Sequence, residues 1–252
     1  MRSQWECLLQ NLGCWYGSFT RLSPQGEILE DIPSETSLEL KEDGQTICQR
    51  VRRFYDGKPQ DLVLEYRSLN RSTTFFESGA FSQGSLQFAP FSEFGAELGL
   101  IHGDRRLRLV VIYNAASQLE RMTLICEHLS PNVQMHTPAL SPDALIGKWE
   151  GEKVTIAADW LEPETTKSLS QWTEESEFMP QGKTLFLPNG AAISCPVAIA
   201  PQQPFFICLS WLIAPTILQR MYRHYDHRGA WSSLSLITEH QKKVEGLVAS
   251  SL

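Results

Sequence analysis

Alternation of apolar and polar residues with a period of two runs through most of the chain. It begins at Trp15 and recurs in short runs separated by turn sequences, such as residues 42–44 and 56–59. Such alternation is typical of strands that are buried on one face. Many short strands with hairpin-length connections predict an all-β chain made of antiparallel barrels.

A short amphipathic helix is predicted ahead of the first strand. Apolar residues from Trp5 to Leu12 recur at the spacing of one helical face, and Ser3 is a candidate N-cap. Gly13 ends this pattern. A similar helical turn is predicted at residues 141–146, before the second half of the chain.

The sequence Gly-x-Trp-x-Gly occurs twice, each time after an apolar residue. A single copy is a weak signal, but two copies in one chain indicate an internal duplication. The two copies consist of Gly13, Trp15 and Gly17 and of Gly147, Trp149 and Gly151.

The ends of the two halves support the duplication. Residues 113–128 align without a gap with residues 225–240 at an offset of 112, whereas the tryptophan motifs are offset by 134. The first half therefore carries about 22 additional residues between its opening and its end. We predict two tandem domains, 1–135 and a shorter 140–252. An irregular acidic segment at residues 159–180 is interpreted as a loop or a degraded strand pair.

Composition and charge restrict the function classes. The 252 residues carry 29 acidic and 22 basic side chains, a formal charge of −7 that argues against nucleic acid as a partner. Three basic runs, at residues 50–53, 104–108 and 220–228, are interpreted as solvated faces. No apolar run approaches the roughly 20 residues of a membrane helix, and no secretory signal is visible. We expect a cytoplasmic protein whose oligomeric state the sequence leaves open.

Catalytic and metal-binding patterns are absent from the sequence. Its six cysteines are scattered without a Cys-x-x-Cys pair, which indicates free thiols, and its six histidines do not cluster. His128 and His240 occupy matching ends of the two halves, each after a glutamate, which favours a structural contact. The chain has no nucleotide, phosphate-loop or hydrolase motif, so we predict no catalytic residue, no metal and no cofactor.

A helical turn, a Gly-x-Trp-x-Gly strand and a run of antiparallel strands resemble the calycins, the superfamily of lipocalins and fatty-acid-binding proteins. A chain of two such halves resembles the uncharacterised two-domain calycin-like family of cyanobacteria and plant plastids. The resemblance implies two lipocalin-like barrels, each closed at one end by the motif tryptophan. In calycins an arginine from the last strands packs across that indole. Arg121 is the candidate for Trp15, and Arg220 or Arg223 for Trp149.

One cluster in the second half is a candidate ligand site. Arg223 and Tyr225 share a strand face, and if that face lines the barrel they could bind a ligand carboxylate, as an Arg-x-Tyr pair does in fatty-acid-binding proteins. Arg220 on the other face and Tyr113 at the aligned place of the first half are further candidates. The alternatives are that both faces are solvated or that Arg223 covers Trp149.

We expect a protein that binds a small hydrophobic ligand, in which a carboxylate is an option, such as a fatty acid, a bilin or another pigment. A dense run of phenylalanines at residues 75–94 could line such a pocket or fill the core. One alternative is a bilin lyase that acts on a partner protein. A second alternative is a structural or assembly module whose barrels are filled and bind no ligand.

Overall fold

The computed structural model describes residues 2–131, 133, 140–159, 162–174, 176 and 182–242. The predicted helix is present as α1 (Gln4–Leu8), which a 3-10 turn (Leu9–Asn11) continues; a shorter α2 (Pro142–Leu145) precedes the second half. Ser3 caps α1 and exchanges hydrogen bonds with Glu6 in a capping box. Among the described residues, no helix has the length and apolar character that crossing a membrane requires.

The described strands form two antiparallel sheets. The first contains nine strands in the order β4-β3-β2-β1-β9-β8-β7-β6-β5, and the second seven in the order β11-β10-β16-β15-β14-β13-β12. The predicted all-β fold, with two tandem barrel-type sheets that each follow a short helix, is confirmed. The strands of the first sheet are β1 (Gly13–Leu22), β2 (Ile28–Leu40), β3 (Ile47–Tyr55), β4 (Lys58–Tyr66), β5 (Thr73–Phe75), β6 (Phe81–Gly84), β7 (Phe94–His102), β8 (Arg105–Tyr113) and β9 (Leu119–His128). Those of the second are β10 (Gly147–Ala157), β11 (Glu164–Trp172), β12 (Lys183–Phe186), β13 (Ala191–Cys195), β14 (Phe205–Ala214), β15 (Ile217–Tyr225) and β16 (Trp231–Gln241).

The additional residues of the first half form a hairpin. Strand by strand, the second sheet matches the first except for β3 and β4, which extend the first sheet beyond β2. Residues 159–180 were expected to be a loop or a degraded strand pair. The loop interpretation is wrong for β11, which pairs with β10 along its length. The predicted gap between the domains, residues 136–139, lies outside the described residues and includes His136.

Each sheet has two faces, which we name from the motif tryptophans. The inner face carries Trp15 or Trp149, and the outer face is the opposite one. Alternation along β7 and β8 places Leu98, Leu107 and Leu109 on the outer face, where they are fully buried. The outer residues of β14 and β15 are equally buried, and both strands contact β7. The two sheets therefore pack outer face against outer face, and much of the apolar core lies between them.

Backbone hydrogen bonds exchanged between the halves reinforce this packing. Phe88 donates to Gly229 O (2.7 Å) and Ile199 donates to Ser117 O (2.9 Å). These two bonds occupy equivalent places in the two halves. The first runs from the first half to the second, and the other runs from the second half to the first. The halves thus contact each other like the subunits of a symmetric dimer, in which the same patch serves on both sides.

The first motif packs against the 3-10 turn that follows α1. The indole of Trp15 donates to Asn11 O (2.9 Å), and the Arg106 guanidinium lies over its ring at 4.4 Å from the centroid. Arg106 Nε in turn donates to the carboxylate of Glu127 (2.8 Å), which also accepts from Arg108. Burial alone would raise the pKa of Glu127, but the two guanidinium groups lower it to about 2.

The arginine expected over Trp15 was Arg121, and this is wrong. Strand β9 runs antiparallel to β1, so its start pairs near Leu22 while its end pairs near Tyr16. Arg121 consequently lies about 20 Å along the sheet from the motif and is exposed.

Trp149 is packed differently from Trp15. Its indole donates to Leu145 O (2.7 Å), but Leu218 stands at the place that aligns with Arg106, and both leucines belong to the apolar cluster around the ring. The Arg220 guanidinium lies over Trp172 and that of Arg223 over Trp231, so neither expected arginine covers Trp149.

We predict that Gly17→Ala destabilises the fold by roughly 3 kcal/mol or more, because a Cβ at this position would lie 1.8 Å from Cys126 O. Gly44→Ala is the control, since nothing lies within 4 Å of its added Cβ and only its left-handed φ opposes alanine, which costs about 1–2 kcal/mol. Urea unfolding measures both. Equal losses would contradict the close approach of β1 and β9.

The lowered pKa of Glu127 predicts a pH dependence. Its folded value of about 2 lies below the ordinary 4.5, so its stabilising contribution is complete above pH 4.5 and is lost as the pH falls toward 2. Glu127→Gln should lower the free energy of unfolding by about 3–5 kcal/mol at pH 7, and this deficit should shrink below pH 4.5. The exposed Glu120→Gln on the same strand is the control. A deficit that is constant from pH 7 to pH 3 would contradict the pairing.

Candidate functional site

A cavity of about 300 Å³ lies on the inner face of the first sheet. The 3-10 turn after α1 forms part of its wall, and it reaches the connection between the edge strands β4 and β5. Among the described residues, no strand ladder joins these two edges, so the sheet is open on this side. The apolar part of the wall consists of Leu8, Leu38, Leu64, Leu69, Phe75 and Phe81.

Two buried arginines belong to the polar part of the wall, which also contains Asn11, Thr36, Gln49, Gln83 and Glu97. Arg106 and Arg108 alternate along β8, so both side chains point to the inner face. Arg108 Nη1 bonds Glu97 (2.9 Å) and Arg108 Nη2 bonds Glu127 (3.0 Å), while Gln83 donates to Glu97 (2.7 Å). Two guanidinium groups thus face two carboxylates, and the formal charges of these four groups balance.

Two buried polar atoms at this cavity have no hydrogen-bond partner in the structure. They are Arg106 Nη2 and Thr36 Oγ1, on side chains that are nearly inaccessible to solvent. A buried polar atom without a partner costs about 1–3 kcal/mol. The guanidinium nitrogen offers a hydrogen to an acceptor, and the hydroxyl can donate or accept. A hydrogen-bond acceptor that reached either atom would satisfy it.

The sequence did not identify these arginines as site residues. Residues 104–108 were interpreted as a solvated face, which is wrong for Arg106 and Arg108, because both are buried. The available signal was the matching glutamate pair, Glu127 and Glu239. Each is fully buried and bonds an arginine, Glu127 both Arg106 and Arg108 and Glu239 Arg220, which agrees with the structural role inferred for the strand ends.

The inner face of the second sheet also carries polar groups. Arg220 bonds Glu239 and Ser170, and Tyr222 and His224 stack at a ring distance of 5.7 Å. Burial lowers the pKa of His224, and nearby Lys153 lowers it further. The second inner face therefore holds Arg220, a predicted site residue. Its ligand role stays a prediction.

The structure places Arg223 and Tyr225 at the junction between the halves. They share a face, as predicted, and Arg223 Nε donates to Tyr225 Oη (2.7 Å). That face is the outer one, where Arg223 also contacts Ser82 Oγ (3.3 Å) and Ser85 O (3.4 Å) of the first half. The condition that they line a barrel interior is not met, and a ligand role for them stays an untested prediction.

Tyr113 has the equivalent position in the first half. Its hydroxyl donates to Pro196 O (2.7 Å), while that of Tyr225 donates to Ser85 O (2.9 Å), so each tyrosine binds the backbone of the opposite half. Both side chains are fully buried. This reciprocity accounts for a tyrosine at both aligned places.

The phenylalanine run divides between core and cavity. Phe94 packs against Phe205 and Tyr225 of the second half at ring distances of 5.7 and 5.0 Å. Phe75 and Phe81 line the cavity and stack on each other at 5.2 Å. Both interpretations of the run therefore apply, each to a different part of it.

Comparisons with known proteins give family matches for both halves. Residues 1–132 match the N-terminal domain of unknown function DUF3598, and residues 167–242 match the C-terminal domain of biogenesis factor required for ATP synthase 1. No curated protein matches the chain.

Solved structures with similarity to this one include a DUF3598 protein and a phycobiliprotein lyase. A protein of unknown function from the DUF3598 family of Nostoc punctiforme is 36% identical; the match covers 96% of this chain and all of that one, with a TM-score of 0.84. The S-type phycobiliprotein lyase of Guillardia theta is 12% identical over 53% of this chain and 95% of its own, with a TM-score of 0.38, which supports no conclusion about function. On the match over residues 1–132 and the 36% identity along nearly the whole chain, this protein belongs to the DUF3598 family.

Proposed function

We propose that the protein binds a small hydrophobic molecule with a hydrogen-bond acceptor group, such as a carboxylate, in the cavity of its first half. The main supporting observation is the pair of unpartnered atoms, Arg106 Nη2 and Thr36 Oγ1, on two residues of a wall that combines polar side chains with leucines and phenylalanines. Apolar walls with a few well-placed polar groups are typical of ligand sites.

The shape of the cavity restricts how the ligand lies. A volume of about 300 Å³ is at the small end of ligand pockets and suits one end of a fatty acid or pigment better than a whole long molecule. Leu62 and Leu64 alternate along β4 on the inner face and are 47% and 44% exposed. An apolar tail that left the cavity between β4 and β5 would cover them.

The polar wall limits the charge of the ligand group. Because the two arginines are already balanced by Glu97 and Glu127, the free guanidinium N–H provides one hydrogen bond rather than a full countercharge. Carbonyl and carboxylate groups both meet this requirement. The proposal is therefore defined by an acceptor atom on an apolar body.

We predict that Leu64→Trp weakens binding of cis-parinaric acid at least tenfold, because the indole occupies the cavity. Val63→Trp, on the same strand but facing away, is the matched control and should bind like the unmodified protein. Fluorescence titration measures both, and circular dichroism verifies folding. Unchanged binding in Leu64→Trp would place the ligand elsewhere.

Thr36→Val separates ligand contact from stability. It removes an unpartnered hydroxyl, so the ligand-free protein should be no less stable, and more stable by up to about 1 kcal/mol. The same change should weaken binding of the acid roughly fivefold, since one hydrogen bond of about 1 kcal/mol is lost. Unchanged affinity with unchanged stability would mean that Thr36 does not contact the ligand.

A bilin lyase remains an alternative for the same cavity. A carrier releases its ligand unchanged, whereas a lyase attaches it to a cysteine of a partner protein. Incubation of the loaded protein with a phycobiliprotein apoprotein, followed by denaturing mass spectrometry, separates the two. A covalent adduct that forms only in the presence of this chain would favour the lyase.

A second candidate function is the assembly of a protein complex, which the match of residues 167–242 to an ATP synthase biogenesis factor favours. Within these residues, β11 is an edge strand, and Leu169 on it is 77% exposed. Exposed edge strands present unpaired backbone groups to a partner. We propose β11 as the contact surface in this case.

This candidate predicts capture of ATP synthase subunits from a host lysate. Leu169→Glu should reduce that capture at least tenfold, because it places a charge in the contact. Gln60→Glu, exposed on β4 of the first half, adds the same charge away from β11 and should leave capture unchanged. Equal capture by both variants, or none by the unmodified protein, would remove support for the assembly function.

A further inference from the structure

A second cavity, of about 470 Å³, lies at the junction of the two halves. One side is formed by the start of α1 and by the turn at residues 76–78 of the first half. The other is the outer face of the second sheet, which contributes Val154, Ile156 and Leu236. The cavity is separate from the first-half site, although Phe75 lines both.

The first-half side is held in place by specific bonds. Gln4 pairs with the backbone of Phe75 through both amide atoms (2.7 and 2.9 Å), which fixes α1 to β5. The backbone N–H of Arg2 donates to Glu77 Oε1 (3.2 Å), and its Nη1 donates to Glu77 O (3.0 Å). The first-half side of the cavity is thus held in place by contacts within the first half.

The duplication provides an internal comparison for this cavity. The turn after Phe76 corresponds to the turn after Leu187, since each of these residues donates its N–H to the alanine that ends the turn. At that place the second-half turn packs directly on the first sheet, with Asn189 Nδ2 at 3.4 Å from Cys126 Sγ. Leu22 and Leu124 align with Ile156 and Leu236, and all four side chains are buried.

The two junctions therefore differ, although the duplication makes them equivalent places in the fold. One is a direct contact, and the other leaves an open cavity large enough for a small molecule, with side chains from both halves in its wall. Junctions between domains are common places for ligand sites. Packing alone does not require this cavity, because the equivalent junction packs directly.

We propose that the junction cavity binds an uncharged apolar small molecule, at a site distinct from the acceptor-binding site of the first half. Phe76, Val154, Ile156 and Leu236 give it an apolar wall. Its charged lining is one guanidinium, of Arg2, and two carboxylates, of Glu77 and Glu162, so an anionic headgroup is disfavoured. The two sites should thus prefer different ligands.

Nile red, an uncharged dye whose fluorescence rises in apolar surroundings, is the probe. Val154→Trp should weaken its binding at least tenfold, because the indole fills the junction cavity, whereas Leu64→Trp should leave it unchanged. Dodecanol should displace the dye at a concentration at least tenfold lower than dodecanoate does. Unchanged dye binding in Val154→Trp, or displacement by dodecanoate at the same concentration, would overturn the proposal.

A second variant serves if Val154→Trp does not fold. Thr165 lines the cavity from an exposed position on β11, so Thr165→Trp should obstruct the mouth without entering the core. It should weaken Nile red binding at least fivefold while cis-parinaric acid binding stays unchanged. Loss of both ligands together, or of neither, would contradict a separate junction site.

Discussion

Packing of the two outer faces against each other is the constraint on which the rest of the structure depends. The outer residues of β7, β8, β14 and β15 are buried between the sheets, so neither half can present that face to solvent. Exchanged backbone bonds and the reciprocal tyrosines Tyr113 and Tyr225 fix the arrangement. Much of the apolar surface is buried between the two outer faces and not on the inner faces. The inner faces can therefore carry buried charge.

The buried arginines of the outer and inner faces have different roles. At the junction, Arg223 bonds Tyr225 and backbone oxygens of the first half, and its guanidinium lies over Trp231. On the inner face, Arg106 covers Trp15 and bonds Glu127, yet one of its nitrogens remains unpartnered. The two arginines are equally buried, and the unpartnered nitrogen beside a cavity is the reason that we assign ligand binding to the first.

The sequence was sufficient for the features that repeat and insufficient for those that depend on the contact between halves. The two tryptophan motifs and the matching strand ends predicted two related halves, and the difference between their offsets predicted about 22 additional residues within the first half. Alternation also placed Arg223 and Tyr225 on one face. It could not say which face is the inner one, because in β8 and β15 both faces are largely buried. For the same reason Arg106 and Arg108 were taken for a solvated run.

Native mass spectrometry of the protein purified from its own host, compared with Leu64→Trp purified in the same way, tests the central claim most directly. We predict a bound small molecule in the unmodified protein, with an acceptor group on an apolar body, that is absent from Leu64→Trp. A bound molecule that persists in Leu64→Trp, or an unmodified protein that carries no more ligand than the variant, would contradict binding in the first-half cavity.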